Sequence, residues 1–152
     1  RDPYWLSWQS QHYFLSSGGR GQPQLPKKFT NGHSHAFDID MAAPADGWKV
    51  PGKLRIETCD WKFPPHRQDS DAKYRRFGDC QFQAKINGVK LEETSDISDM
   101  YLHPYPQFPM LPESTRGWVV PPTALKDGIN KIEITMTQGD DAEVFFLDLQ
   151  TR

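Results

Sequence analysis

Residues 118–137 read WVVPPTALKDGINKIEITMT, and the pattern changes along this stretch in a way that decides the fold. Val119 and Val120 end a strand, because Pro121 and Pro122 lack the backbone N–H groups that a ladder needs. Thr123 to Lys126 has room for one helical turn, and Gly128 suits the positive φ that ends it. From Asn130 to Thr137 the chain alternates, with Ile132, Ile134 and Met136 on one face and Lys131, Glu133 and Thr135 on the other. A strand, a corner and a half-buried antiparallel strand in succession predict sheets packed over a core.

Downstream, QGDD at 138–141 is a turn, and Glu143 to Gln150 is a last strand with Phe145, Leu147 and Leu149 inward. Upstream, Cys80 to Ile86 and Val89 to Glu93 form a hairpin joined by Asn87-Gly88, since a type I′ turn needs positive φ at both positions. Two-residue closure pairs Ile86 with Val89 and Ala84 with Leu91 on one face. Lys53 to Cys59 is a strand with Leu54 and Ile56 inward. His35 to Met41 is another, with His35, Phe37, Ile39 and Met41 inward, and Gln11 to Ser16 is the first. Trp48 packs at the proline- and glycine-rich corner before Lys53. Arg1 to Gln9 is too irregular to assign, and Ser17 to Asn31 reads as loop.

Two long excursions separate these strands. Asp60 to Asp79 is polar, and Thr94 to Gly117 contains DMYLHPYPQFPMLP at 99–112, too rich in proline for a regular helix or a central strand. If successive strands run antiparallel, the loops Ser17 to His33, Asp60 to Asp79, Thr94 to Gly117 and Gln138 to Ala142 all leave at one end. The short connections and both termini fall at the other. Rigid sheets that present long, aromatic and charged loops opposite their attachment points are built like a binding module.

Composition narrows the class. The chain has 152 residues, 36% hydrophobic and 25% charged, with thirteen prolines and eleven glycines between short alternating runs. This predicts one all-β domain over residues 1–152, long enough to bury about 68–70% of its unfolded surface without staples. A formal net charge of −2 advertises neither nucleic acid nor an anionic membrane, and no apolar run approaches the ~20 residues of a membrane span. The sequence opens on Arg1 rather than methionine, so an excised domain or a processed product is expected. Cys59 and Cys80 flank a 20-residue segment. They form either a loop-closing disulfide or two unpaired thiols, one of them buried, since Cys80 shares parity with Phe82, Ala84 and Ile86 while Cys59 shares it with Arg55 and Glu57.

The KINGVKL hairpin, the WVVPPTALKDGINKIEIT corner and the closing VFFLDL strand, with SHAFDIDM and KLRIET upstream, resemble the galactose-binding-like β-sandwich. This jelly-roll fold is common in carbohydrate-binding modules and in accessory domains of bacterial glycoside hydrolases. The resemblance implies an antiparallel β-sandwich of jelly-roll type, to which the strand count adds two long loops at one end. It also implies a non-catalytic partner of a polysaccharide-degrading enzyme that is secreted, periplasmic or at the cell surface, without implying that this copy binds sugar; the expected role is carbohydrate binding or support of the attached enzyme. Its partners would be a polysaccharide or oligosaccharide and an attached catalytic domain. The alternative is an inert structural domain that packs on a neighbouring catalytic domain without binding glycan.

Sugar recognition needs flat aromatic faces and planar polar groups that engage paired hydroxyls. Trp61, Tyr74, Tyr101 and Tyr105 supply the first and His66, Arg67, Arg76 and His103 the second, all on the two long loops. The same aromatics also serve to pin long loops onto a sandwich. No cofactor is required. A structural calcium has candidate ligands in Asp69 and Asp71 and in Asp140 and Asp141. His33 and His35 form H-x-H, half of a zinc site, but a third ligand at fixed spacing is missing, and a strand-end histidine packed on the core explains His35 better. The chain has no G-x-S-x-G elbow, no phosphate-cradling glycine loop and no thiol-enzyme signature, so an enzyme is not expected.

Overall fold

A computed structural model describes residues 5–6, 11–16, 24–58, 77–100 and 112–151. Among them are twelve strands: β1 (Trp5–Leu6), β2 (Gln11–Ser16), β3 (Lys27–Phe29), β4 (Ser34–Met41), β5 (Gly52–Glu57), β6 (Gln81–Ile86), β7 (Val89–Lys90), β8 (Glu92–Thr94), β9 (Thr115–Val120), β10 (Gly128–Gln138), β11 (Ala142–Val144) and β12 (Phe146–Thr151). They form a six-stranded sheet in the order β1-β2-β12-β5-β9-β8, a four-stranded sheet in the order β4-β10-β6-β7, and a small β11-β3 pair. All pairing is antiparallel. The fold is an all-β sandwich, as the alternation and proline spacing predict.

One core joins the two large sheets. Leu54, Ile56, Trp118, Val120, Leu147 and Leu149 from the six-stranded sheet meet Phe37, Ile39, Met41, Phe82, Ala84, Ile86, Ile132, Ile134 and Met136 from the other. The apolar parity of β4, β6 and β10 is what closes this core, because period two places every second side chain on the buried face. Trp48 packs against it from the corner after β4. The corner at 121–128 is also as expected: a 3-10 turn spans Pro122–Ala124, and Gly128 sits at φ 90°.

Four elements differ from the sequence reading. β3 lies in the segment read as loop; it carries a single buried residue, Phe29, so no alternation marks it, and its pairing partner β11 is distant in the chain. The second hairpin strand divides at Leu91, whose N–H still donates to the Ala84 carbonyl (2.9 Å), while Glu92 already pairs with Val119 of the other sheet. One segment thus edges both sheets. The last strand divides at Phe145, which is half-buried rather than inward, because β11 pairs with β3 and β12 with β2 and β5. β9 begins at Thr115, inside the excursion assigned to loop.

The outward face of β5 is not solvated. Lys53, Arg55 and Glu57 are buried along with Leu54 and Ile56, and residues 95–100 lie across Lys53 and Arg55. Arg55 Nε donates to Asp148 Oδ2 at 2.9 Å and Nη1 to the Ile97 carbonyl at 2.7 Å, while Nη2 pairs with Asp99 and Asp148. Gln150 completes the net, donating to Asp99 and accepting from the Met100 N–H.

Candidate functional site at the loop end

Strand registers place the four long connections. Ser16 and Glu57 both lie opposite Phe146, and Glu57 lies opposite Thr115, so β2 and β5 end where β12 and β9 begin. β8 runs from Glu92, opposite Val119, to Thr94, opposite Gly117, and therefore also ends there. In the four-stranded sheet, Gln138 meets Gln81 and Thr135 meets Ser34 at the same end. The connections after β2, β5, β8 and β10 consequently share one end, while the 42–51 and 121–127 corners and the C-terminal end of β12 share the other.

The roots of these connections are tied to one another. The Thr58 N–H donates to the Ser114 carbonyl (3.0 Å) and the Phe77 N–H to the Glu113 carbonyl (2.8 Å). This joins both ends of the first long loop to the end of the second. The Arg116 guanidinium adds donors to the carbonyls of Pro112 (2.9 Å), Thr115 (2.9 Å), Gly78 (3.0 Å) and, more weakly, Cys80 (3.5 Å), and it stacks over the Phe77 ring at 5.2 Å. Thr58 Oγ1 donates to the Glu143 carbonyl (2.6 Å), and the Phe145 N–H donates to the Glu57 carbonyl (2.9 Å). Beneath this platform, Phe77, Phe82 and Phe29 stack edge to face with centroids 4.9 and 5.7 Å apart. The loops therefore rise from a base held by backbone hydrogen bonds and core aromatics.

An open groove of about 460 Å³ lies in this platform at the edge of the six-stranded sheet. Ser95 and Ile97, at the start of the second loop, form one side, and Pro112, Thr115 and Arg116, at its end, form another. Glu93 and Thr94 of β8 complete it. Sequence reasoning missed both the groove and the Arg116 clasp. Arg116 fell within residues read as loop, and no local pattern reveals that its partners are carbonyls of another loop.

The expected glycan contacts Trp61, His66, Arg67, Tyr74, Arg76, Tyr101, His103 and Tyr105 lie outside the described residues, as do Asp69, Asp71 and Cys59. Cys80 is a buried free thiol that donates to the Asp140 carbonyl at 3.4 Å. Burial first, then the charge of Asp79, pushes its pKa up. Gly139, at φ 107°, packs so closely here that a Cβ would lie 2.7 Å from the Cys80 sulfur. Asp141 pairs with Lys28 at 3.6 Å on the surface. His35 Nε2 donates to the Lys28 carbonyl (2.8 Å), and its ring packs edge-on against Phe29. His33 Nδ1 contacts the Thr30 hydroxyl. Among the described residues no group of three or more His, Cys, Asp or Glu side chains is placed to hold a metal ion. No helix among them is long and apolar enough to cross a membrane.

No family model matches the chain, and no curated protein matches it. Among solved structures it is similar to a beta-porphyranase of glycoside hydrolase family 86 from the human gut bacterium Bacteroides plebeius, with 15% sequence identity and a TM-score of 0.49. The match covers 93% of this chain and 20% of that chain, so this chain spans about a fifth of the length of the protein it matches.

Proposed function

We propose that this chain is a non-catalytic carbohydrate-binding or accessory domain of a secreted polysaccharide-degrading glycoside hydrolase, with a jelly-roll sandwich that presents its glycan contacts at the loop end. The observation that carries this reading is the arrangement of the two long loops: they leave one end of the sandwich, and their roots are joined by the Thr58–Ser114 and Phe77–Glu113 hydrogen bonds and the Arg116 clasp. A preformed base of this kind lowers the ordering cost of a binding surface, and these loops carry the aromatic, Arg and His side chains suited to sugars. The catalytic domain would be attached beyond the opposite end, in an exported, periplasmic or cell-surface protein.

Affinity electrophoresis through neutral and acidic polysaccharides tests this. Retardation on at least one glycan, abolished by Trp61→Ala or Tyr105→Ala, is the expected result. It should persist with EDTA, because no cofactor is required; loss that calcium restores would instead assign a structural ion to the loop end. One observation favours the inert structural alternative: residues 95–100, the first part of the second loop, are bonded onto their own sheet. Absence of retardation on every polymer selects that alternative.

A further inference from the structure

We propose that the groove held between the two ends of the second long loop is a subsite for a neutral, hydroxyl-rich glycan chain and disfavours acidic ones; this rests on the loop-end binding reading above. Its volume of about 460 Å³ is that of a small-ligand site. Gly117, beside the groove, lets one of its wall residues pack close to the sheet. A Cβ at that position would lie 3.3 Å from Ile97 Cγ2 and 3.6 Å from the Leu54 carbonyl oxygen and from Thr94 Cγ2, so the absent side chain lets Ile97 pack onto the outer face of the sheet as an apolar side of the groove. An apolar side chain on one side, with the hydroxyls of Thr94, Ser95 and Thr115 and the Glu93 carboxylate on the others, suits the C–H faces and equatorial hydroxyls of a sugar ring.

The charges choose between neutral and acidic glycans. Among the described residues Arg116 is the one cation lining the groove, but its Nη donors are directed at the carbonyls of Pro112, Thr115, Gly78 and Cys80. It makes a fixed wall and has no Nη fork free to grip a sulfate or a uronate carboxylate. Glu93, in contrast, is exposed, and its carboxylate has no hydrogen bond or ion pair among the described residues. Glu93 pairs with Trp118 and Thr94 with Gly117, so Glu93 lies diagonally across from Arg116, at roughly 7 Å between backbones, and a ring that bridges them offers paired hydroxyls to the carboxylate. Between Leu91 and Thr115 the sequence holds no Lys or Arg. Lys53 and Arg55 pair with Asp96 and Asp99 on the sheet face, so among the described residues of β8 and the start of the second loop Glu92 and Glu93 are the charges left facing outward.

The test is affinity electrophoresis of the whole chain in laminarin, xylan and galactan, and in polygalacturonate and chondroitin sulfate, with wild type, Glu93→Ala and a Lys85→Ala control on the other sheet. Because Glu93 is exposed, thermal melting of Glu93→Ala should match wild type. The expected result is retardation by at least one neutral polymer, about tenfold weaker in Glu93→Ala and unchanged in the control, as for loss of a charged hydrogen bond. Retardation unaffected by Glu93→Ala, or retardation by the acidic polymers alone, overturns the groove assignment while loop-end glycan binding stands. No retardation by any polymer overturns both.

Discussion

Arg55 shows how this sandwich accommodates charge. Burial alone would lower its pKa, but Asp148 and then Asp99 outweigh that and raise it, so the guanidinium stays charged at 2% exposure. Removing a buried partner is costly because the remaining charge keeps its desolvation penalty. Asp148→Ala should therefore lower stability by about 3–5 kcal/mol in urea unfolding; a loss within the ordinary surface range would mean that Asp99 alone suffices. Asp96 behaves differently because it is exposed. The Ser98 hydroxyl and N–H, then Lys53, hold its carboxyl at about 2. A carboxyl lowered on folding stabilises fully above its unfolded value of about 3.9 and ceases to do so as pH falls through the folded value. The difference in urea midpoint between wild type and Asp96→Ala should thus be steady near neutrality and vanish toward about pH 2. A difference that persists to that pH contradicts this assignment.

The corner and the hairpin act as one element. Asn87, at φ 49°, donates to the Ala124 carbonyl (2.9 Å) and to Asn130 Oδ1 (2.8 Å) and accepts from the Lys131 N–H (3.0 Å). Asn130 in turn caps the Lys126 N–H and the Lys126 and Gly128 carbonyls. Asn87→Ala should cost about 2–3 kcal/mol, from the left-handed backbone and the unpaired corner together, as read by thermal or urea unfolding. An effect below about 0.5 kcal/mol would show that the turn and the corner are independent. These elements were legible because one side of β4, β6 and β10 faces the core and the other faces water, which writes period two into the sequence. The face of β5 and β12 was not, since Arg55, Asp148 and Gln150 have the polar character of a solvated face while residues 95–100 bury them. Opposite charges at facing positions of two adjacent strands, Arg55 and Asp148, were the available signal. β3 had none, because a single buried Phe29 makes no pattern.

At the scale of the whole molecule, the two ends of the sandwich have different work. The end with short corners carries the Asn87–Asn130 net, whereas the other gathers the roots of the two long loops around Arg116. Their common placement was readable from strand count alone, because strict antiparallel order fixes where each connection emerges. The groove was not, because it is assembled from residues 93–97 and 112–116 through tertiary pairing. Arg116→Ala should loosen this base, raising amide hydrogen exchange at Phe77 and Thr58 while the core strand β10 keeps its protection. The most direct test of glycan recognition at the loop end is amide chemical-shift mapping with oligosaccharides cut from a polymer that retards the chain. Perturbations should cluster at Thr58, 77–80, 93–97, 112–116 and 139–145, leaving 121–131 and the Asn87-Gly88 tip unmoved. Perturbations confined to that opposite end, or to the outer face of the four-stranded sheet, would contradict the account.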